Sequence, residues 1–193
     1  MKSAIVVADM EKQFLTSDRL YLRALADTDL EGPYVEWLND PEVCRFNSHH
    51  VFPYTVDAAR AYVAACRTSR AALVLAICSR HDHRHLGNIA LQHIDPVART
   101  AEYAILLGDR SCWGQGFAKE ASVVIIRHGF QELNLGRISC GTSAENLAMQ
   151  RLAAFLGMRE EGRRRQALFK HGRYADIIEY GLLRAECPAE FLA

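Results

Sequence analysis

Three apolar segments, Ala72–Ile77, Leu86–Ile94 and Ala101–Leu107, follow one another with only short polar turns between them. Connections of that length cannot hold a crossover helix, so the three are expected to pair as an antiparallel meander. Gly108–Gly116 then reads as a loop, and Phe117–Leu133 as a long helix with a wide apolar surface. Arg137–Thr142 reads as a strand. Asn146–Leu156 reads as a helix that stops at Gly157, a residue suited to the left-handed conformation that ends many helices. Leu168-Phe169 and Ile177–Leu183 suggest a last pair of strands. Upstream, Leu20–Arg23 alternates and predicts a first strand. Asp27–Leu38 predicts a helix capped by Asp27, although Gly32-Pro33 lies inside it. Residues 39–54 read as a loop or broken helix, and Thr55–Arg67 as a helix capped by Thr55.

The order β-α-α-β-β-β-α-β-α-β-β describes an α/β (α+β) domain: one mostly antiparallel, mixed central sheet flanked by helices. Residues 16–186 are expected to form that single domain. Residues 1–15 are expected to be an N-terminal arm or extra edge strand, and 187–193 a C-terminal tail. Hydrophobic residues make up 50% of the 193, enough to build a core. The 23 Lys and Arg are balanced by 23 Asp and Glu, which argues against a dedicated nucleic-acid binder. Arg163-Arg164-Arg165, the one compact basic cluster, reads as a solvated turn. No apolar run approaches the ~18 residues that span a membrane. Ala4–Ala8 is shorter than the ~7–15 apolar residues of a secretory signal. A cytoplasmic protein is expected. The six cysteines form no C-x-x-C pair, so a zinc site has no support, and most are expected to be small buried hydrophobes. His49-His50 lacks a third ligand, and no metal is expected.

The segment Trp113-Gly114-Gln115-Gly116-Phe117-Ala118 joins a predicted strand to the long helix. Glycines there let the backbone turn sharply and approach a ligand. The unpaired N–H groups of the helix start then attract an anion such as a pyrophosphate. The Walker A pattern is absent. Lys119 occupies the last glycine position of a dinucleotide fingerprint, and the preceding strand belongs to a meander. From these residues alone, a glycine-rich connector without a ligand stays open.

The same segment resembles the CoA-binding loop of GNAT acetyltransferases, Q/R-x-x-G-x-G/A, with Gly116 and Ala118 in the small-residue places. Trp113 stands where Gln or Arg is usual. This is similar to the W-G-K-G-Y-A variant of RimJ/RimL-like members, with Gln115 replacing Lys. Thr16–Arg23, Trp37–Val43, Glu145-Asn146 with Arg151-Leu152 and Leu156–Met158, and Gly172–Asp176 resemble further family segments, in order, over about residues 15–185.

The resemblance implies an acetyl-CoA-dependent N-acetyltransferase with no metal cofactor. A primary amine, either a peptide N-terminus or a small amine such as an amino sugar, would attack the thioester directly. Ile105 and Leu107 would face the pantetheine through their backbone. Trp113, Gly114, Gln115, Gly116, Phe117 and Ala118 would hold the phosphates, and Asn146 and Arg151 would add further contacts. Glu102, at the start of the strand leading into the loop, is the candidate general base. The segment around Trp37, Asn39, Arg45 and His49 mixes aromatic and hydrogen-bonding groups, as an acceptor pocket does. Arg45 or the arginine triplet would suit an acceptor that carries a phosphate. Met149 and Ala154 occupy the places where relatives carry a Ser or Tyr general acid. Tyr174, Tyr180 or water would then serve, or the chain would be a CoA-binding sensor without catalysis. A homodimer is compatible with the family.

Overall fold

The structure is a computed structural model, and residues 13–192 of it are described. Most of the expected N-terminal arm therefore lies outside the described residues. Its end, β1 (Leu15–Thr16), pairs as an edge strand with β2 (Leu20–Ala24). The sheet continues through β3 (Ala72–Ser79), β4 (His85–Asp95), β5 (Thr100–Leu107), β6 (Arg137–Ser143), β7 (Arg159–Lys170) and β8 (Arg173–Leu183). Its eight strands lie in the order β1-β2-β3-β4-β5-β6-β8-β7. The expected meander is β3-β4-β5, antiparallel throughout. One pair, β5 with β6, is parallel, because the helix α3 (Phe117–Gln131) carries the chain back across the sheet.

Strand alternation divides the core. Leu20, Leu22, Ile77, Leu91, Tyr103 and Ile138 face Ile125, Ile126 and Phe130 of α3. Their neighbours Tyr21, Val74, Ala76 and Ala90 face α1 (Tyr34–Asn39) and α2 (Val56–Thr68), where Tyr34, Trp37 and Val63 are buried. Helix α4 (Leu147–Phe155) ends as expected. Gly157 has φ 79°, Gly157 N–H donates to Ala154 O (3.1 Å), and Met158 N–H donates to Ala153 O (2.9 Å). Those two bonds form a Schellman cap.

Three expectations are corrected. The helix expected over 27–38 is a short 3₁₀ turn, Asp27–Glu31, followed by α1. Pro33 has no N–H to continue the first segment and serves instead as the cap of the second. Arg163–Arg165 is not a turn but part of β7, which forms a long hairpin with β8. The expected C-terminal tail is packed over residues 187–192, because Cys187 and Phe191 are buried and Ala189–Leu192 forms a helix, α5. Gln131 at the end of α3 bonds Leu192 O at 2.7 Å.

The 3₁₀ turn is fixed to the sheet by a buried ion pair. Arg23 reaches both carboxylate oxygens of Asp29, at 2.9 and 2.6 Å, and Ala26 N–H adds a third bond at 2.9 Å. His85 Nδ1 lies 3.1 Å from Asp29, poorly aligned for a hydrogen bond. Burial alone would push the Asp29 carboxyl up. The Arg23 guanidinium, His85 and the Ala26 N–H outweigh it and hold the group well below the usual carboxylate range.

Candidate functional site

Strands β5 and β6 pair only from Thr100–Glu102 to Arg137–Ser139. Beyond that point β5 stays bonded to β4 as far as Leu107, and β6 stays bonded to β8 as far as Ser143. The two strands therefore part, and a cleft of about 600 Å³ opens between them. Peptide groups on the facing edges lose their ladder partners, which leaves N–H and C=O groups for a ligand. Tyr103–Leu107 form one wall. Gly141, Thr142, Asn146, Met149, Arg151 and Leu152 form the other.

The glycine loop closes one end. Gly108 packs so tightly on Trp37 that an added Cβ would come within 1.9 Å of the indole. The N–H groups of Gly108 and Asp109 both donate to Leu86 O at 3.0 Å, which starts the turn. The Asp109 carboxylate accepts from Ser111 N–H (2.9 Å) and O–H (2.6 Å) and meets Arg84 at 2.7 Å. Burial pushes Asp109 up, but these donors prevail and keep it below its ordinary range. The Trp113 indole N–H donates to Leu107 O at 2.9 Å, so it ties the loop to the cleft wall. Gly114 and Gly116 adopt φ of 74° and 82°, where a Cβ would be strained. Gly116 caps α3 without a side chain, which leaves the first-turn N–H groups open to an anion.

The loop is buttressed from behind. Arg19 donates to Gln115 O (3.1 Å), covers the Phe117 ring at 4.4 Å and pairs with Glu120 at 2.7 Å. Burial raises Glu120, but the Arg19 N–H, the Ser17 hydroxyl and the Arg19 guanidinium reverse the shift. Cys112, beside the loop, is buried, and that burial pushes its thiol up.

Nine of the expected residues line the cleft: Glu102, Ile105, Leu107, Trp113, Gly114, Gly116, Ala118, Asn146 and Arg151. Asn146 Oδ1 also caps α4 by accepting from Met149 N–H at 3.1 Å. Gln115 and Phe117 do not line the cleft. The Gln115 side chain turns back to Ser111 O (2.6 Å), and Phe117 lies under Arg19. None of the four residues expected to bind the acceptor lines this cleft. Trp37 is 6% exposed and packs edge-on to Tyr34 and His85. Asn39 exchanges two 2.8 Å bonds with the backbone of Tyr54 and bonds Val35 O, so its amide is engaged in joining α1 to the following loop. His49 lines neither this cleft nor the cavity that adjoins it, and its carbonyl accepts from Lys170 Nζ. Arg45 lines an adjoining cavity.

The residues after α1 that do line the cleft are Glu42, Val43, Phe46 and Asn47. Phe46 and Asn47 belong to the segment singled out in the sequence, whereas Glu42 and Val43 were not singled out as acceptor residues. Tyr34, Trp37 and Leu38 follow the i, i+3, i+4 spacing of a core-facing helix stripe, and that signal assigns Trp37 to the core. Glu102 is 41% exposed at its side chain and bonds His93 Nδ1 at 2.9 Å, a partner two strands of alternation could not reveal. Among the described residues, no group of three or more His, Cys, Asp or Glu side chains could hold a metal ion, and no helix is long and apolar enough to cross a membrane.

A family model described as an acetyltransferase (GNAT) domain matches residues 19–159. The chain belongs to the GNAT acetyltransferases. Within that family it is 31% identical over 176 residues to an uncharacterized N-acetyltransferase p20 of Bacillus licheniformis, covering 89% of this chain and 97% of the relative. Its fold superposes on a spermidine N-acetyltransferase of Vibrio cholerae solved with CoA and spermine. The TM-score is 0.81 at 24% identity, over 92% of this chain and 100% of that one. It also superposes on RimL, a ribosomal L7/L12 α-N-protein acetyltransferase in complex with coenzyme A. There the TM-score is 0.80 at 19% identity, over 89% of this chain and 98% of that one. This GNAT chain is thus an N-acetyltransferase by family, with the mixed, mostly antiparallel sheet of its structural neighbours.

Proposed function

We propose that the protein transfers an acetyl group from acetyl-CoA to a primary amine by direct attack, as a GNAT enzyme of the RimJ/RimL-like branch. The observation that carries this reading is the continuity of the split between β5 and β6 with the glycine-capped start of α3. The donor set suits CoA. First-turn N–H groups, with Lys119 and Arg151 on the cleft walls, match a pyrophosphate and a further phosphate. Peptide groups on the β6-facing edge of Tyr103–Leu106, which have no partner in β6, match the pantetheine amides. Acetyl-CoA, when bound, supplies an activated acyl carbon and a thiol leaving group.

Glu102 accepts a proton from the incoming ammonium, either directly or through water. An α-amino group titrates near ~8 and a lysine near ~10.4, so an α-amine asks less of that carboxylate. His93 bonds the carboxylate at 2.9 Å and is 77% exposed at its side chain, so it orients Glu102 and connects it to solvent. Peptide N–H groups on the free edge of β5 stabilise the charge that grows on the acyl oxygen. Cys112 takes no covalent part, because it is buried and lies outside the cleft wall, and burial pushes its thiol up. Met149 lines the cleft and has no proton to donate. Tyr180 is buried on the α3 side of the sheet, and the exposed Tyr174 lies outside the cleft wall. Water therefore protonates the departing thiolate.

Met149 also gives one reason for a second reading, a CoA-binding sensor without turnover. Thiol release from acetyl-CoA with a panel of amines separates the two. Amine-dependent release that falls with Glu102→Gln supports the enzyme. CoA-dependent stabilisation with no release for any amine favours the sensor.

A further inference from the structure

A second cavity, of about 380 Å³, adjoins the acceptor end of the cleft and shares Glu42 and Phe46 with it. One wall is the segment after α1, and the other is the β7–β8 hairpin. Strand register locates it. Glu102 pairs with Ser139, Ser139 with Gly181, and Ser143 with Ile177, so these residues lie on the sheet face away from α3. Further along that face, Leu168 pairs with Ala175 and Lys170 with Arg173. Ser143, Leu168, Lys170, Arg173 and Ala175 all line the cavity. One open face therefore leads from the carboxylate at the closed end of the split to a basic compartment.

The charges there are unequal. Arg173 meets Glu145 at 2.8 Å and Arg45 meets Glu42 at 3.4 Å, so both carboxylates of the wall are already engaged. The Lys170 ammonium bonds the carbonyl of His49, and among the described residues it forms no salt bridge. Three cations face two carboxylates, a surplus that suits an anion and repels a polycation. Ser143 stands four residues along β6 from Ser139, about 13 Å at ~3.3 Å per residue. That is longer than the separation of amine and carboxylate in a free amino acid.

Resting on the acetyltransferase reading above, we infer that the acceptor carries an anionic group some 10–20 Å from its reactive amine, seated among Lys170, Arg45 and Arg173. A polyamine is disfavoured. A carboxylate several residues into a peptide, or a phosphate of a nucleotide-linked amino sugar, would supply the same charge.

The test compares matched acceptors by thiol release. One arm uses a pentapeptide amide with Asp at position 4 against its Asn counterpart. The other uses a nucleotide-linked amino sugar against the neutral amino sugar, with spermidine alongside. The anionic member of at least one pair is expected to lead by at least about fivefold in kcat/KM, a preference that shrinks with added salt. Lys170→Gln is expected to erase most of that lead. Titration of the CoA-loaded protein with the same pairs reads the preference where turnover is slow. Equal use of both members in both pairs, or spermidine as the best acceptor, with no change in Lys170→Gln, overturns the inference and leaves the acetyltransferase reading standing. Absence of any CoA-dependent stabilisation overturns that reading and the inference together.

Discussion

The two ends of the cleft are built in opposite ways. At the proposed phosphate-loop end the groups on offer are backbone: first-turn N–H groups of α3 and peptide edges of β5. They are held by a dense set of bonds from Trp113, Asp109, Arg19 and Glu120. At the proposed acceptor end the groups on offer are side chains from segments more than a hundred residues apart, around 42–47 and 168–175. Their ties are few and exposed, such as Arg45–Glu42 and Lys170 to the His49 carbonyl. A backbone site tolerates sequence change as long as its dihedrals survive. A side-chain site changes its ligand with each substitution. One fold can therefore keep a common donor and vary the acceptor.

The largest test of this contrast is Gly116→Trp. It places a large side chain at φ 82°, with its Cβ 3.5 Å from the Arg19 guanidinium that buttresses the loop, so the left-handed cap of α3 is strained and the loop displaced. It is expected to abolish CoA-dependent stabilisation, and wild-type-like CoA affinity would break the assignment of the loop. Next is Asp29→Ala, which removes one partner of the buried pair beneath the acceptor-side helices. A loss of about 3–5 kcal/mol in unfolding free energy is expected. The sign with pH follows from the depressed Asp29 carboxyl. Its contribution is present above the unfolded value of ~3.9 and is lost as pH falls through the lower folded value. Urea unfolding of wild type and variant at pH 7 and in stronger acid should show the gap narrowing in acid.

Glu102→Gln comes third. Turnover should fall about 100-fold or more while CoA affinity holds, because the change removes a proton acceptor and keeps the shape. Unchanged rates across pH 6–9 would remove Glu102 from the reaction. The smallest is Trp113→Phe, which keeps an aromatic ring and deletes the indole N–H donor to Leu107 O. Weakening of CoA binding by about 0.5–1.5 kcal/mol is expected. A null result in titration would show that the loop is held by its other ties.

The same contrast governs what could be read from the sequence. The loop was legible because Gly114 and Gly116 sit at a strand-to-helix junction, and little else needs left-handed backbone there. The meander was legible from apolar runs with short turns. The β7–β8 hairpin was mostly hidden. Residues 159–165 carry charges on both faces of an edge strand, so no alternation marks them. The break at Gly32-Pro33 was visible in the sequence as a weakness of the expected helix, but not as a handover from a 3₁₀ turn to α1. On the acceptor side, Trp37 and Asn39 have the chemistry of a binding site. The helix-stripe spacing of Trp37 already points it into the core, where it lies beneath Gly108, whereas only packing reveals that Asn39 ties α1 to Tyr54. Lys170 and Arg173 were out of reach, because their place beside Arg45 depends on the hairpin.

The most direct test of the central claim is a thermal-shift titration of the protein with acetyl-CoA, CoA, NAD and ATP side by side. Stabilisation by the CoA forms alone, growing with ligand concentration as mass action requires, is the predicted result. No response to CoA, or a preference for NAD or ATP, would contradict the assignment of the cleft between β5 and β6 as a CoA site.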